Sequence, residues 1–127
     1  MKPSSAKQKG RVLQQRTRDL FLNAAPDLDN KDIRSVPMGV SGEDLWMSSK
    51  AEEIYPYSVE CKNVEKLNIW QAINQARDEA RKNGKTPMVV FTKNHEDTYV
   101  AIPIEEFLEL SRRGRHSGGP DIPDDAA

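Results

Sequence analysis

The chain has 127 residues, of which 36% are hydrophobic and 31% charged, a length and composition that support one domain with one modest core and exclude two. No apolar run approaches the roughly 20 residues that span a bilayer, and the opening MKPSSAKQKGR lacks the apolar stretch of a secretory signal, so a cytoplasmic protein without a membrane partner is expected. A single cysteine, Cys61, excludes an intrachain disulfide and zinc-type ligand spacing and reads as a buried free thiol, while the net charge of −1 hides an uneven distribution.

Lys2, Lys7, Lys9, Arg11, Arg16 and Arg18 all precede the first acid, Asp19. Residues 1–8 read as a flexible basic arm, and Lys7, Lys9 and Arg11 suit contact with a phosphate backbone. From about Ser5 to Ala25, Leu13, Thr17, Leu20, Phe21 and Ala24 form one apolar stripe and predict an amphipathic helix. The turn residues Pro26 to Lys31 follow, and Ile33 and Val36 mark a short first strand ended by Pro37 and Gly39. Asp44 to Met47 predicts a second strand, and Ser48 or Ser49 can cap a brief helix through Ile54.

In the next segment Tyr57, Val59 and Cys61 alternate with Ser58, Glu60 and Lys62, which predicts a strand with an apolar face and a chemical face. Ile69, Ile73, Ala76 and Ala80 recur at helical spacing, with Gln71, Gln75, Asp78 and Lys82 on another face and Asn83-Gly84 as the stop. Met88 to Phe91 is apolar throughout, as in a covered central strand, and the turn Asn94 to Asp97 leads to a last strand at Tyr99, Val100 and Ile102. Pro103, Glu105 and Glu106 open a final helix reaching about Arg113. The order α-β-β-(short α)-β-α-β-β-α implies an α/β fold, a central mixed sheet of about five strands flanked by helices. One domain spans 1–113, and 114–127, with Asp121, Asp124 and Asp125 among Gly and Pro, reads as a disordered acidic tail.

Hydrolysis of a phosphodiester needs a hard divalent cation, and such cations take carboxylate oxygens. Asp44 and Glu60 bound neighbouring strands, the Cys61 backbone carbonyl adjoins Glu60, and Lys62 shares the Glu60 face, where its ammonium can orient water and stabilise phosphate charge. A lone Glu-x-Lys triplet in so charged a chain is as often a solvated strand face, and Asp29-Asn30-Lys31 has the same chemistry in a turn where nothing holds the side chains together. Context separates the two, because only Glu60 and Lys62 lie on an alternating strand with an acid at a strand start before it and an amphipathic helix after it. Gln71 and Gln75 lie one helical turn apart and either face a nucleic-acid groove together or form plain helix surface. Trp46 and Trp70 read as core anchors in preference to stacking platforms, and His95 and His116, in a turn and the tail, stay outside the candidate site.

Gly42-Glu43-Asp44, Val59-Glu60-Cys61-Lys62 and the helix from Trp70-Gln71-Ala72 to Gln75-Ala76 resemble the PD-(D/E)xK nuclease superfamily over roughly Lys9 to Leu110. Lys9-Gly10, Arg34, Ser41-Gly42, Asp44, Glu60 and Lys62 are similar, in order, to the pattern of archaeal Holliday-junction resolvases and related phage proteins. The resemblance implies a restriction-endonuclease-like fold and a metal-dependent, structure-selective endonuclease cutting branched or duplex DNA as a homodimer. By the same resemblance Asp44 and Glu60 ligate Mg²⁺, for which Mn²⁺ substitutes, with the Cys61 carbonyl completing the set. Lys62 is then the catalytic lysine, and Ser41 and Arg34 lie near the scissile phosphate. The nucleic-acid-binding set is Lys7, Lys9, Arg11, Arg34, Gln71 and Gln75.

One position departs from the pattern: Gln14 stands where those resolvases carry a glutamate on the first helix. Either Glu43 takes over, although strand alternation points it away from Asp44, or Gln14 acts through water, or the site has fewer acids. The departure motivates two other readings, a non-catalytic nucleic-acid-binding or complex-forming protein and an unspecific or nicking nuclease.

Overall fold

A computed structural model of the chain describes residues 3–37 and 39–116, so the expected tail from 117 onward lies outside the described residues. The opening helix, α1, runs Pro3–Asn23 and begins within the segment read as a basic arm. Strands β1 (Ile33–Ser35) and β2 (Leu45–Met47) pair antiparallel, with Ile33 opposite Met47 and Arg34 opposite Trp46. The short helix α2, Ser49–Ile54, is capped by Ser48, whose hydroxyl accepts the Ala51 N–H and donates to Asp32. Strand β3 (Tyr57–Asn63) lies parallel to β4 (Thr86–Thr92), and β5 (Tyr99–Ala101) adds antiparallel to β4. Between β3 and β4 runs α3, Ile69–Asn83, with Asn68 as N-cap and Gly84 in the left-handed conformation at its end; α4, Ile104–His116, closes the described chain.

Among the described residues the five strands divide into a two-stranded hairpin and a three-stranded sheet ordered β3-β4-β5. The division falls at Asp44. Its N–H donates to the Val59 carbonyl (3.0 Å), and the Cys61 N–H then donates to the Asp44 carboxylate (2.7 Å), so a side chain occupies the place where the next ladder bond would form. Strand alternation sorts β3 into two faces, as the sequence predicts. Tyr57, Val59 and Cys61 pack with Leu13, Ile33, Leu45 and Met47 in the core covered by α1. A second cluster of Ala72, Ala76 and Val89 lies under α3, whose small residues let the helix sit close to β3 and β4. Glu60 and Lys62 therefore project on the α3 side of the sheet, at the point where the hairpin meets it.

Candidate active site

Two backbone devices bring the acids together. The bonds to Val59 and Cys61 pin Asp44 against the edge of β3, and the parallel β3–β4 pairing holds Glu60 in the strand's middle, opposite Val89. Glu60 is only 8% exposed and is hydrogen-bonded to Asp44. Lys62 follows on the same face with its Nζ 3.9 Å from Glu60 Oε2. In an extended strand a residue's N–H and C=O point to the same edge, so the Cys61 carbonyl faces the side on which its N–H meets Asp44.

Gln14 completes this group from below. It is buried, at 3% exposure, with its Oε1 accepting the Ser35 hydroxyl (2.8 Å) and its side chain hydrogen-bonded to the Asp44 carboxylate. An amide can do both, because its oxygen accepts while its NH₂ donates; a carboxylate there would confront Asp44 with like charge. Glu43 lies before β2, so strand alternation does not set its direction, and it lines a different hollow from Asp44 and Glu60. Its carboxylate receives Lys85 (3.0 Å) and Asn83 (2.8 Å), and Lys85 also pairs with Glu52 (3.2 Å).

Burial and mutual repulsion set the electrostatics. Glu60 is pushed up to about 7, first by burial and then by the Asp44 charge, with Glu79 adding to it and Lys62 opposing. Burial also raises Asp44, against the Cys61 N–H, Lys62 and Gln14, all of which favour its ionised form. Burial thus makes both carboxyls hold a proton more tightly than in water, and the Asp44 charge adds to this at Glu60. The Cys61 thiol is pushed up to about 12 by burial and the nearby carboxylates, and it lies inert in the core against Thr17.

The acids open onto a polar cleft of about 400 Å³ whose near wall is Ser41, Gly42 and Lys62. The far wall is α3, which contributes Gln75, Asp78, Glu79 and Lys82. Glu79 is the residue that sequence reasoning missed, and the signal for it was the four-residue step from Gln75 on the same helical face. Gln71, by contrast, is exposed at the start of α3 and outside this cleft, and Lys7 and Arg11 are exposed on α1. Lys9 is half-buried, with its Nζ enclosed and lacking a hydrogen-bond partner. Arg34 lies not beside the acids but over the Trp46 ring, 4.2 Å from its centroid.

The expectation that both tryptophans anchor the core is corrected. Trp46 is 44% and Trp70 71% exposed. Trp46 alternates with the buried Leu45 and Met47 and so must face outward, and Trp70 precedes the buried Ala72 on the first turn of α3 and falls on its outer side.

The acids suit a metal by the chemistry of their donors. Two carboxylates crowd a half-buried corner with a backbone carbonyl beside them, all hard oxygens, and a cation there would offset the Asp44 charge that, after burial, raises Glu60. Among the described residues no three His, Cys, Asp or Glu side chains converge on one point.

Residues 34–117, about two thirds of the chain, match the family model described as "Phage putative PDDEXK endonuclease". The chain belongs to this PDDEXK endonuclease family. Asp44, Glu60 and Lys62 all fall within the matched segment, whereas Gln14 lies before it. Nucleases of the PDDEXK class are in general dependent on divalent metal. No curated protein and no solved structure matches the chain.

Proposed function

We propose that this protein is a Mg²⁺-dependent endodeoxyribonuclease with a preference for branched or distorted DNA, and that Asp44, Glu60 and Lys62 are its catalytic residues. The observation that carries the reading is the meeting of these three side chains in one open cleft, with Glu60 and Lys62 3.9 Å apart. Asp44, Glu60 and the Cys61 carbonyl would hold the metal, with Mn²⁺ able to replace Mg²⁺. When bound, it supplies charge neutralisation at the phosphate and a lowered water pKa. Lys62 donates to the attacking water and to the phosphate oxygens, and Ser41, Gln75 and Lys82 line the path of the backbone on either side. Exposed Lys7 and Arg11 extend that path along α1.

The deciding experiment incubates the protein with Mg²⁺ or Mn²⁺ and a panel of junction, flap, duplex and single-stranded DNA. Metal-dependent cleavage that is lost in Glu60→Ala and Lys62→Ala is expected; no cleavage of any member would sink the proposal. The same panel separates structure-selective cutting from unspecific nicking, and an RNA arm tests the choice of DNA.

Gln14 supports a second reading, a DNA-binding protein on this fold without competent chemistry, since an amide occupies the position of a metal-binding acid. Calorimetric titration decides between them: heat of Mg²⁺ or Mn²⁺ binding that disappears in Asp44→Ala excludes the second reading.

We infer further that the protein acts as a homodimer paired through α4. Ile104, Phe107 and Leu108 expose an apolar stripe on that helix. Glu105, Glu106 and Glu109 fill its first half and Arg112 and Arg113 its second, so two α4 helices packed antiparallel about a two-fold axis set opposite charges side by side.

A further inference from the structure

A second cavity lies apart from the one that holds the catalytic acids. It is a hollow of about 510 Å³ on the other side of the Val40–Ser41 segment, and these two residues line both it and the cleft. Trp46 forms one wall and Asn83 and Lys85 another. Arg34 stacks on the Trp46 ring and does not itself line the hollow.

We propose that this hollow is a stacking slot for one unpaired nucleobase of the DNA strand being cut. Four features favour that occupant. A tryptophan left 44% exposed on a strand whose neighbours are buried forgoes burial that its size would reward, and a base face restores it. The guanidinium stacked against the ring fixes its orientation and leaves it ready to receive a second flat group. Asn83 commits its Nδ2 to Glu43 and to the Glu79 carbonyl, which leaves its Oδ1 as an acceptor for a base edge. Finally, the wall shared with the cleft places the slot next to Asp44, within reach of a nucleotide adjoining the phosphate at the acids.

This deepens the endonuclease reading and rests on it. A base held in the slot must be out of its duplex stack, so the enzyme would select DNA with unpaired or easily unstacked positions beside the cut, a selection made by the protein's own surface.

The test uses Trp70→Phe protein, in which Trp46 is the sole tryptophan, in EDTA so that nothing is cut. Single-stranded dodecathymidylate should quench Trp46 fluorescence saturably, and a blunt twelve-base-pair duplex should not. No quenching, or equal quenching by the duplex, overturns the slot, and this readout leaves Trp46 itself unaltered. In otherwise wild-type protein, Trp46→Ala should weaken binding to the single strand by about tenfold or more, with Trp46→Phe restoring most of it, and unchanged affinity in a folded Trp46→Ala overturns the proposal. Neither readout needs catalysis. Protein that quenches with the single strand but never cuts in Mg²⁺ or Mn²⁺ supports the slot and defeats the endonuclease reading, whereas cutting without quenching defeats the slot alone.

Discussion

Gln14 shows how one residue sets the terms for its neighbours. Its amide satisfies Ser35 and Asp44 together, and both would lose a partner without it. Gln14→Glu restores the acid of the resolvase pattern but forces a third carboxylate into the same buried corner. We expect it to lower the stability of the metal-free protein by about 1–3 kcal/mol and to recover most of that in Mg²⁺; identical melting of variant and wild type in EDTA would refute the account. Glu60 makes a related prediction for pH. Its folded pKa of about 7 lies above the ordinary 4.5, so the folded state holds a proton that the unfolded state has released across that interval. The associated stability is complete below 4.5 and is lost as pH rises through 7. Metal-free protein should therefore lose on the order of 2 kcal/mol between these limits, a figure already reduced for partial solvent access to the cleft. Urea unfolding at a series of pH values measures it, and Glu60→Gln should flatten the curve. Saturating Mg²⁺ should flatten it too, since a cation favours the ionised carboxylates.

Among the elements, α3 carries one wall of the cleft, and its ends are fixed by two local signals. The Asn68 side chain accepts the Gln71 N–H at 3.1 Å, and Gly84 turns the chain out of the helix at a φ of +66°. Asn68→Ala should cost about 1 kcal/mol in chemical denaturation while leaving cleavage intact, because Glu79 and Lys82 lie at the helix's other end. A loss of activity out of proportion to stability would instead place the first turn of α3 in substrate binding. Elements of this kind were legible in the sequence because their causes are local: the N-cap asparagine, the terminal glycine, the four-residue apolar spacing, the two-residue alternation through Glu60 and Lys62. Asp44 was legible as an acid at the start of a short strand, but Glu60 lies in the middle of β3 and not at its end, and their meeting depends on the bonds of Asp44 to Val59 and Cys61. The exposure of Trp46 and Trp70 was not legible. A large aromatic is a core residue by composition, and whether its face of a strand or helix is covered depends on elements distant in the chain. Gln14 was legible as a departure from a pattern but not as the partner of Ser35, which is 21 residues away and brought to it by the packing of α1 on the hairpin.

At the scale of the whole molecule, the apolar surface is distributed unevenly. Helices pack on both faces of β3, yet Ile104, Phe107 and Leu108 lie exposed on α4, and Tyr99 and Val100 of the edge strand β5 are exposed as well. An exposed edge strand and an amphipathic helix in water are a liability that a second copy would cover, and in the proposed homodimer the acidic-then-basic order along α4 would favour antiparallel pairing. Light scattering on the eluting protein should give twice the 14.4 kDa chain mass. Phe107→Glu should halve that value without altering the circular dichroism, because the side chain is already 58% exposed and the folded chain gives up little by the exchange. A monomeric wild type at micromolar concentration would end the homodimer reading. If the dimer forms as expected, the two-fold axis also has a catalytic consequence. Paired clefts can cut two strands of one branched substrate before release, so the Phe107→Glu monomer should convert paired cuts into single nicks while its rate per cleft stays near that of the wild type.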